Sequence, residues 1–553
     1  MRKGIARRAV RIAAGAALLS MAGMSRGADK DFSVAAVFSN HMVLQRDKPL
    51  PVWGTAAVGT KVSVAFGGAA VETVAGTNGE WCATLPPMSA SRDARSLTLS
   101  VRGTEQSGNP TVRTVVFSDV LVGDVWLCSG QSNMEFAFSA ALDAKVEAGK
   151  AAAYPDVRCV KFERCRAFRP VKRVRCGKWT VCTSNALMKA YVTAVGYYMA
   201  RELNRRTGVP QGILDNNWGG CKIEPYIPLA GLKGVPQLDR KYAAPVELAE
   251  RRRVKGNADD KWWFWYRQEC AIQYGKYLEE CRKRKVEPEY LPFSQETMEG
   301  FDVLTTTQYN AMIAPIVRFP IAGALWYQGE SNIGQPDYGL KLEALAAGWR
   351  QAWGYDFPLC IFQLSSVNAP NADPSQDLPR PRTRDDQLFA ARRIKDCGFV
   401  VTMDIGARFE HPRNKRDAGE RAALWALNRV YGQKDVLPSG PIFSGFVHEG
   451  AKLRVSFTYA DGGLVAAAKD PDKPGVAPVP KDTKNVKGFA LRDEKGRWHA
   501  ADAVIDGASV LVSAPGVKTP KAVRYAHMDN TIGLADLYNA QGLPAAAFRS
   551  DSK

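Results

Sequence analysis

The chain has 553 residues, 46% of them hydrophobic and 24% charged, and a formal charge of +19. That composition supports about three globular domains and excludes a wholly disordered chain. No apolar run reaches the ~20 residues of a membrane-spanning helix, so stable membrane insertion is not expected.

The first 27 residues read as a secretory signal rather than as part of the fold. Arg2, Lys3, Arg7, Arg8 and Arg11 form a basic region, Ile12 to Met24 is a short apolar run, and Ser25-Arg26-Gly27 offers small residues for cleavage. Arg7-Arg8 also fits a twin-arginine signal. Export to the periplasm or the exterior is therefore expected. Removing residues 1–27 takes away six cations and no acids, leaving +13. Such a surface suits acidic glycans, or is simply a solvated exterior. No nucleic-acid-binding motif accompanies the charge.

Residues 28–115 read as a small β-sandwich. LPVWGTA, KVSVAF and SLTLSVRG carry β-branched and aromatic residues between Gly, Asn and Pro turns. Residues 116–436 change texture. VLVGDVWL, IAGALWYQ, FPLCIFQL and CGFVVTMD alternate with helical stretches such as TAVGYYMARELNRR and YGLKLEALAAGWRQAW, which predicts an α/β domain built on a parallel sheet. A charged segment over about 235–300 interrupts this plan and is expected to be a helical insertion. Its Trp262, Trp263, Phe264, Trp265 and Tyr266 suit either a sugar-binding mouth or helix docking, and its Arg282–Lys285 run suits a solvated helix face. Short strands return over 437–553 (KLRVSFTY, GFALRDE, SVLVSA, AVRYAH), which predicts a C-terminal β domain.

Eleven cysteines occur. In an exported protein Cys159, Cys165, Cys176 and Cys182 are candidates for pairing, in any of three connectivities. Their spacing fits no zinc site. Cys128, Cys360 and Cys397 sit in apolar runs and read as packing residues.

The candidate chemistry begins at CSGQSNMEF, residues 128–136, where an apolar strand runs into Gly, Ser and Asn. A sharp turn there can hold the Ser132 hydroxyl at a sheet edge as a nucleophile, or simply cap a helix. GQSNM is not the G-x-S-x-G elbow of α/β-hydrolases. A serine nucleophile needs a base and oxyanion donors. The chain has five histidines, and only His411 falls in the α/β region, just after the strand CGFVVTMD. Ligands of such sheets gather at the carboxyl ends of the strands, so Ser132 and His411 are expected to meet there. ILDNNWGG and ALWYQGESN end two further strands and place Gly219, Gly220, Glu330 and Asn332 at the same edge.

With MVLQRDKPLPVWG, GDVWLCSGQSNME, NNWGGCKIEPY, YNAMIAPI, GALWYQGESN, RDDQ, HPRNK and LYNAQGLPAAAFRSD, the chain resembles the sialate O-acetylesterase group of the SGNH hydrolases over nearly its whole mature length. The resemblance implies a three-layer flavodoxin-like core with a β domain at each end, and hydrolysis of O-acetyl esters on sialic acids or related sugars without a metal or cofactor. It implies Ser132 as nucleophile and His411 as base. The N–H groups of Ser132 and Gly220 (or Gly219) and the amide of Asn332 would form the oxyanion hole, and Gln131 and Glu330 would shape the pocket. The family often places an Asp two or three residues before the histidine. Here those positions hold Phe409 and Arg408. Glu410 and Asp404 are the candidate substitutes, and a Ser–His dyad is the alternative. The rival expectation is a non-catalytic glycan-binding protein.

Overall fold

The computed structural model describes residues 32–104, 110–248, 305–371, 373 and 376–551. The expected signal, the aromatic run Trp262–Tyr266 and the Arg282–Lys285 run lie outside these residues.

The centre of the molecule is a sheet whose strands we label in chain order: β1 (Pro110–Gly130), β2 (Val157–Lys161), β3 (Thr180–Val181), β4 (Gln211–Asp215), β5 (Gly323–Tyr327), β6 (Leu359–Phe362) and β7 (Cys397–Val400). Their spatial order is β3-β2-β4-β1-β5-β6-β7. All neighbours run parallel except the edge strand β3, so the sheet is mixed. The second half of β1 and the strands β4 and β5 are buried on both faces, as their near-continuous apolar runs require. Alternate residues enter two separate cores. Trp126, Cys128, Leu325, Tyr327, Cys360 and Phe362 join one, with Tyr197, Tyr198 and Trp425. Val125, Leu127, Ala324, Trp326, Leu359 and Ile361 join the other, with Leu342, Leu345 and Trp349. The helices Ala194–Thr207 and Lys415–Arg429 therefore cover one face, and Tyr338–Trp353 the other.

β1 is 21 residues long, and it runs through the expected boundary near residue 115. Its first half pairs antiparallel with Ser91–Thr104 and its second half lies between β4 and β5. One strand thus belongs to both the N-terminal β region and the central sheet. After Ile442 the chain returns to antiparallel strands, in sheets of five, three and four strands.

No disulfide forms among the described residues. Cys159, Cys165, Cys176 and Cys182 are free thiols, against the expectation that they could pair. Cys159 and Cys182 pack in one core, Cys165 in the other with Cys176 against it. Burial pushes the Cys176 and Cys182 thiols up to about 12. Cys128 and Cys360 are wholly buried packing residues. No described helix is long and apolar enough to cross a membrane.

Candidate active site

From β1 the chain passes to β2 and β4 on one side, and it later crosses to β5 on the other. That reversal makes the carboxyl end of β1 a topological switch point, the place where such sheets bind ligands. Gly130 closes the strand with φ +136, and a Cβ there would stand 2.2 Å from the Tyr327 carbonyl oxygen, so only glycine allows β1 and β5 to approach so closely. Gln131 is extended and buried. Its side-chain oxygen accepts the N–H groups of Gly329 and Ser331 at 3.3 Å each, tying the β1 and β5 loops together. Ser132 then opens a short helix, Ser132–Glu135, which we label α1. Its N–H lies in a first turn, where no carbonyl stands one turn back.

His411 comes from the loop after β7. Its Nε2 lies 2.7 Å from Ser132 Oγ. The two residues are 279 positions apart, and the fold brings them into contact as their strand-end positions predict.

The β4 loop runs beside the serine. A Cβ on Gly219 would lie 3.6 Å from that of Ser132. The Gly219 N–H donates to Glu135 Oε2 at 2.7 Å, and Arg164 Nε donates to Glu135 Oε1 at 2.8 Å. Of the two glycines offered as alternatives, Gly219 is therefore engaged elsewhere. Gly220 turns with φ +71, and its carbonyl accepts the Ser331 hydroxyl at 3.1 Å.

Asn332 departs from the expected geometry. It is wholly buried, and its amide donates to Glu224 at 3.0 Å and to Gln335 at 2.9 Å. Its oxygen accepts the Ile223 N–H and the Gln328 amide. Lys341, also wholly buried, holds Glu224 at 2.6 Å. Both amide hydrogens of Asn332 thus hold a buried carboxylate network rather than face the serine.

The candidate orienting acids also point elsewhere. Asp404 receives two hydrogen bonds from Arg421, at 2.7 Å each, and one from the Tyr538 hydroxyl. The pair holds the Arg421 guanidinium well above its ordinary pKa, against its burial. The half-exposed Glu410 carboxylate faces Arg380 at 3.1 Å. Arg408 and Phe409 are exposed, Phe409 by 78%. Among the described residues no carboxylate forms an ion pair with His411.

Two residues that the sequence did not single out complete the site. Asn133 is wholly buried. Its Nδ2 donates to Glu330 Oε1 at 2.5 Å and to the Glu410 carbonyl at 2.9 Å, and its Oδ1 accepts from Lys415 Nζ. Lys415 lies 4.8 Å from the centre of the Phe136 ring and 5.5 Å from that of Tyr327. Burial lowers its ammonium to about 7, with Glu330 opposing the shift. Burial likewise raises the Glu330 carboxyl, against the pull of Asn133, Arg380 and Lys415. Both residues stood inside the quoted motifs, GQSNM and HPRNK, but nothing local joins them. No described group of His, Cys, Asp or Glu is arranged to hold a metal ion.

No family model matches the chain. It is similar to curated proteins named sialate O-acetylesterase. The one from Rattus norvegicus is 28% identical over 458 residues, 77% of this chain and 78% of that one. The one from Homo sapiens is 26% identical over 450 residues, 75% and 74% of the two chains. Among solved structures, the chain is similar to a carbohydrate acetylesterase from Xanthomonas citri, with 29% identity and a TM-score of 0.72, covering 94% of this chain and all of that one. The resemblance carried by the motifs thus extends over most of the molecule.

Proposed function

We infer that this chain is a serine esterase of the sialate O-acetylesterase kind, removing O-acetyl groups from sugars. The observation that carries the reading is the 2.7 Å contact between Ser132 Oγ and His411 Nε2 at the switch point of the sheet. The likeness to sialate O-acetylesterases and to a carbohydrate acetylesterase supplies the substrate class.

In this reading His411 Nε2 takes the proton as Ser132 Oγ attacks the acetyl carbonyl. The tetrahedral oxyanion lies against the N–H groups of Ser132 and Gly220, and the buried Asn332 holds the β5 loop that flanks them. The C–O bond to the sugar breaks, and His411 returns its proton to the departing sugar oxygen. Water then attacks the acetyl-serine as His411 takes its proton, the bond between the acetyl carbon and Ser132 Oγ breaks, His411 returns the proton to Oγ, and acetate leaves. Gln131 and Glu330 shape the pocket wall.

The sheet with helices on both faces is read as the three-layer core of an SGNH hydrolase, residues 116–436, with β domains over 28–115 and 437–553. The basic N-terminal leader supports export and cleavage. The substrate is an O-acetylated sialic acid or an acetylated polysaccharide such as xylan.

The test is acetate release by the purified protein from 9-O-acetyl sialic acid and from acetylated xylan. Ser132→Ala is expected to lower turnover at least about 10³-fold while leaving the unfolding temperature unchanged. Activity retained in that variant would overturn the assignment. Binding of both glycans with no acetate release by the wild type would favour a glycan-binding protein instead.

A further inference from the structure

A Ser–His pair works only if the imidazole is held in line with the hydroxyl. A carboxylate commonly does this, and among the described residues none ion-pairs with His411. The histidine loop is instead held by contacts on both sides of His411. The Asn368 N–H donates to the Arg408 carbonyl at 3.2 Å, Arg380 reaches the Glu410 carboxylate at 3.1 Å, and Asn133 Nδ2 donates to the Glu410 carbonyl at 2.9 Å, while beyond His411 the Leu142 N–H donates to the Arg413 carbonyl at 3.0 Å. The first tie is three residues away from His411, and the second ends on a half-exposed carboxylate where screening weakens it. The third is different. It comes from the residue after the nucleophile and ends on the residue before the base. Ser132 Oγ to His411 Nε2 and Asn133 Nδ2 to Glu410 O are therefore two adjacent rungs joining the same two segments.

The direction of the Asn133 amide decides whether the second rung exists. A carbonyl only accepts and an ammonium only donates. With Lys415 Nζ against Oδ1, and with Glu330 Oε1 and the Glu410 carbonyl against Nδ2, one orientation satisfies every partner. The reverse would set the amide oxygen against the Glu410 carbonyl oxygen, which can only accept, and the amide nitrogen against Lys415 Nζ, which in its charged form only donates. Such a clash is costly in a site from which water is excluded. Lys415 is 1% exposed and forms no ion pair among the described residues, so its hydrogen bond to Asn133 is its main polar contact.

We propose that Asn133 is the positioning residue of His411, and that Lys415 acts through it by fixing the direction of its amide. This rests on the esterase reading. The pair does for the imidazole, through the backbone of its loop, what a carboxylate does through Nδ1 elsewhere.

The experiment is a double-mutant cycle read on 4-nitrophenyl acetate, a substrate without a sugar, with unfolding temperature and near-ultraviolet dichroism defining the folded fraction. Asn133→Ala is expected to lower kcat by about 100-fold, with KM within about threefold of wild type. Lys415→Met should lower kcat by about tenfold, and Lys415→Arg, which restores a donor-only cation, should recover most of that loss. Because Lys415 acts through Asn133, the double variant should be no slower than Asn133→Ala alone. If Asn133→Ala does not fold, the contrast between Lys415→Met and Lys415→Arg still decides. Equal rates in those two variants, a kcat for folded Asn133→Ala within about threefold of wild type, or losses that multiply independently would each overturn the proposal. Wild-type hydrolysis that depends on Ser132, combined with any of those results, sinks the positioning role alone. Absence of Ser132-dependent hydrolysis in the wild type sinks the esterase reading itself.

Discussion

The β regions at the two ends of this molecule hold histidines in one way and the central sheet in another. In the C-terminal β region His527 is buried, with Asp377 at 3.5 Å and Asp385 at 3.8 Å, and His499 sits 2.9 Å from Asp493. In the N-terminal β region His41 lies 2.6 Å from Asp119. At the strand ends of the central sheet, His411 is exposed, has no described carboxylate partner, and touches Ser132. A search for acid–histidine pairs would pass over the histidine that touches Ser132, the proposed nucleophile. The lesson is that such pairs are common structural solutions, whereas access to solvent and a hydroxyl at hydrogen-bonding distance mark a base.

The sharpest break of that comparison is His411→Gln. It is expected to lower kcat/KM by about 10³–10⁴-fold, while His499→Gln leaves the turnover of folded protein unchanged. A comparable loss in both variants would remove the distinction.

Asp404 comes next. If it serves Arg421 and the fold, Asp404→Asn should destabilise the protein by about 3 kcal/mol in urea unfolding, because a buried guanidinium loses its partner. The folded fraction should keep its kcat. A fall of more than about 100-fold would instead make Asp404 part of the catalytic machinery.

The smallest effect concerns pH. Burial, with Arg524 and Arg549 nearby, lowers the His527 pKa from 6.5 to about 3. Between those values the unfolded chain holds a proton on this side chain that the folded chain lacks, so the group costs stability as pH falls below 6.5. Burial raises the Asp385 carboxyl, which acts in the opposite direction in the same window. The histidine's share is isolated by His527→Gln. On going from pH 7 to pH 5 the variant should lose about 2 kcal/mol less than wild type. Equal losses would show that His527 titrates normally.

The architecture was legible wherever a run of residues carries its own signal. The second half of β1 and the strands β5, β6 and β7 are apolar runs because both faces are covered, and the helix Tyr338–Trp353 follows from its length and apolar content. The change of texture near 115 gave no sign that β1 crosses it unbroken and pairs with a different region on each side. The four clustered cysteines suggested bridges, yet their positions in the chain say nothing of which core each one enters.

At the site, the amino-acid sequence by itself was enough to bring Ser132 and His411, the proposed nucleophile and base, to one edge of the sheet. A glycine turn after a buried strand and the only histidine of the α/β region both sit at strand ends, and a parallel sheet gathers those ends on one edge. Tertiary structure alone decided what each polar group faces. Asp404 pairs with Arg421 because the 3-10 turn after β7 and the following helix bring them together. Asn332 turns to Glu224, 108 positions away, and Asn133 meets Lys415 across 282. A hydrogen bond needs a partner within about 3 Å. At separations of a hundred residues or more, only the folded path of the backbone sets which partner that is.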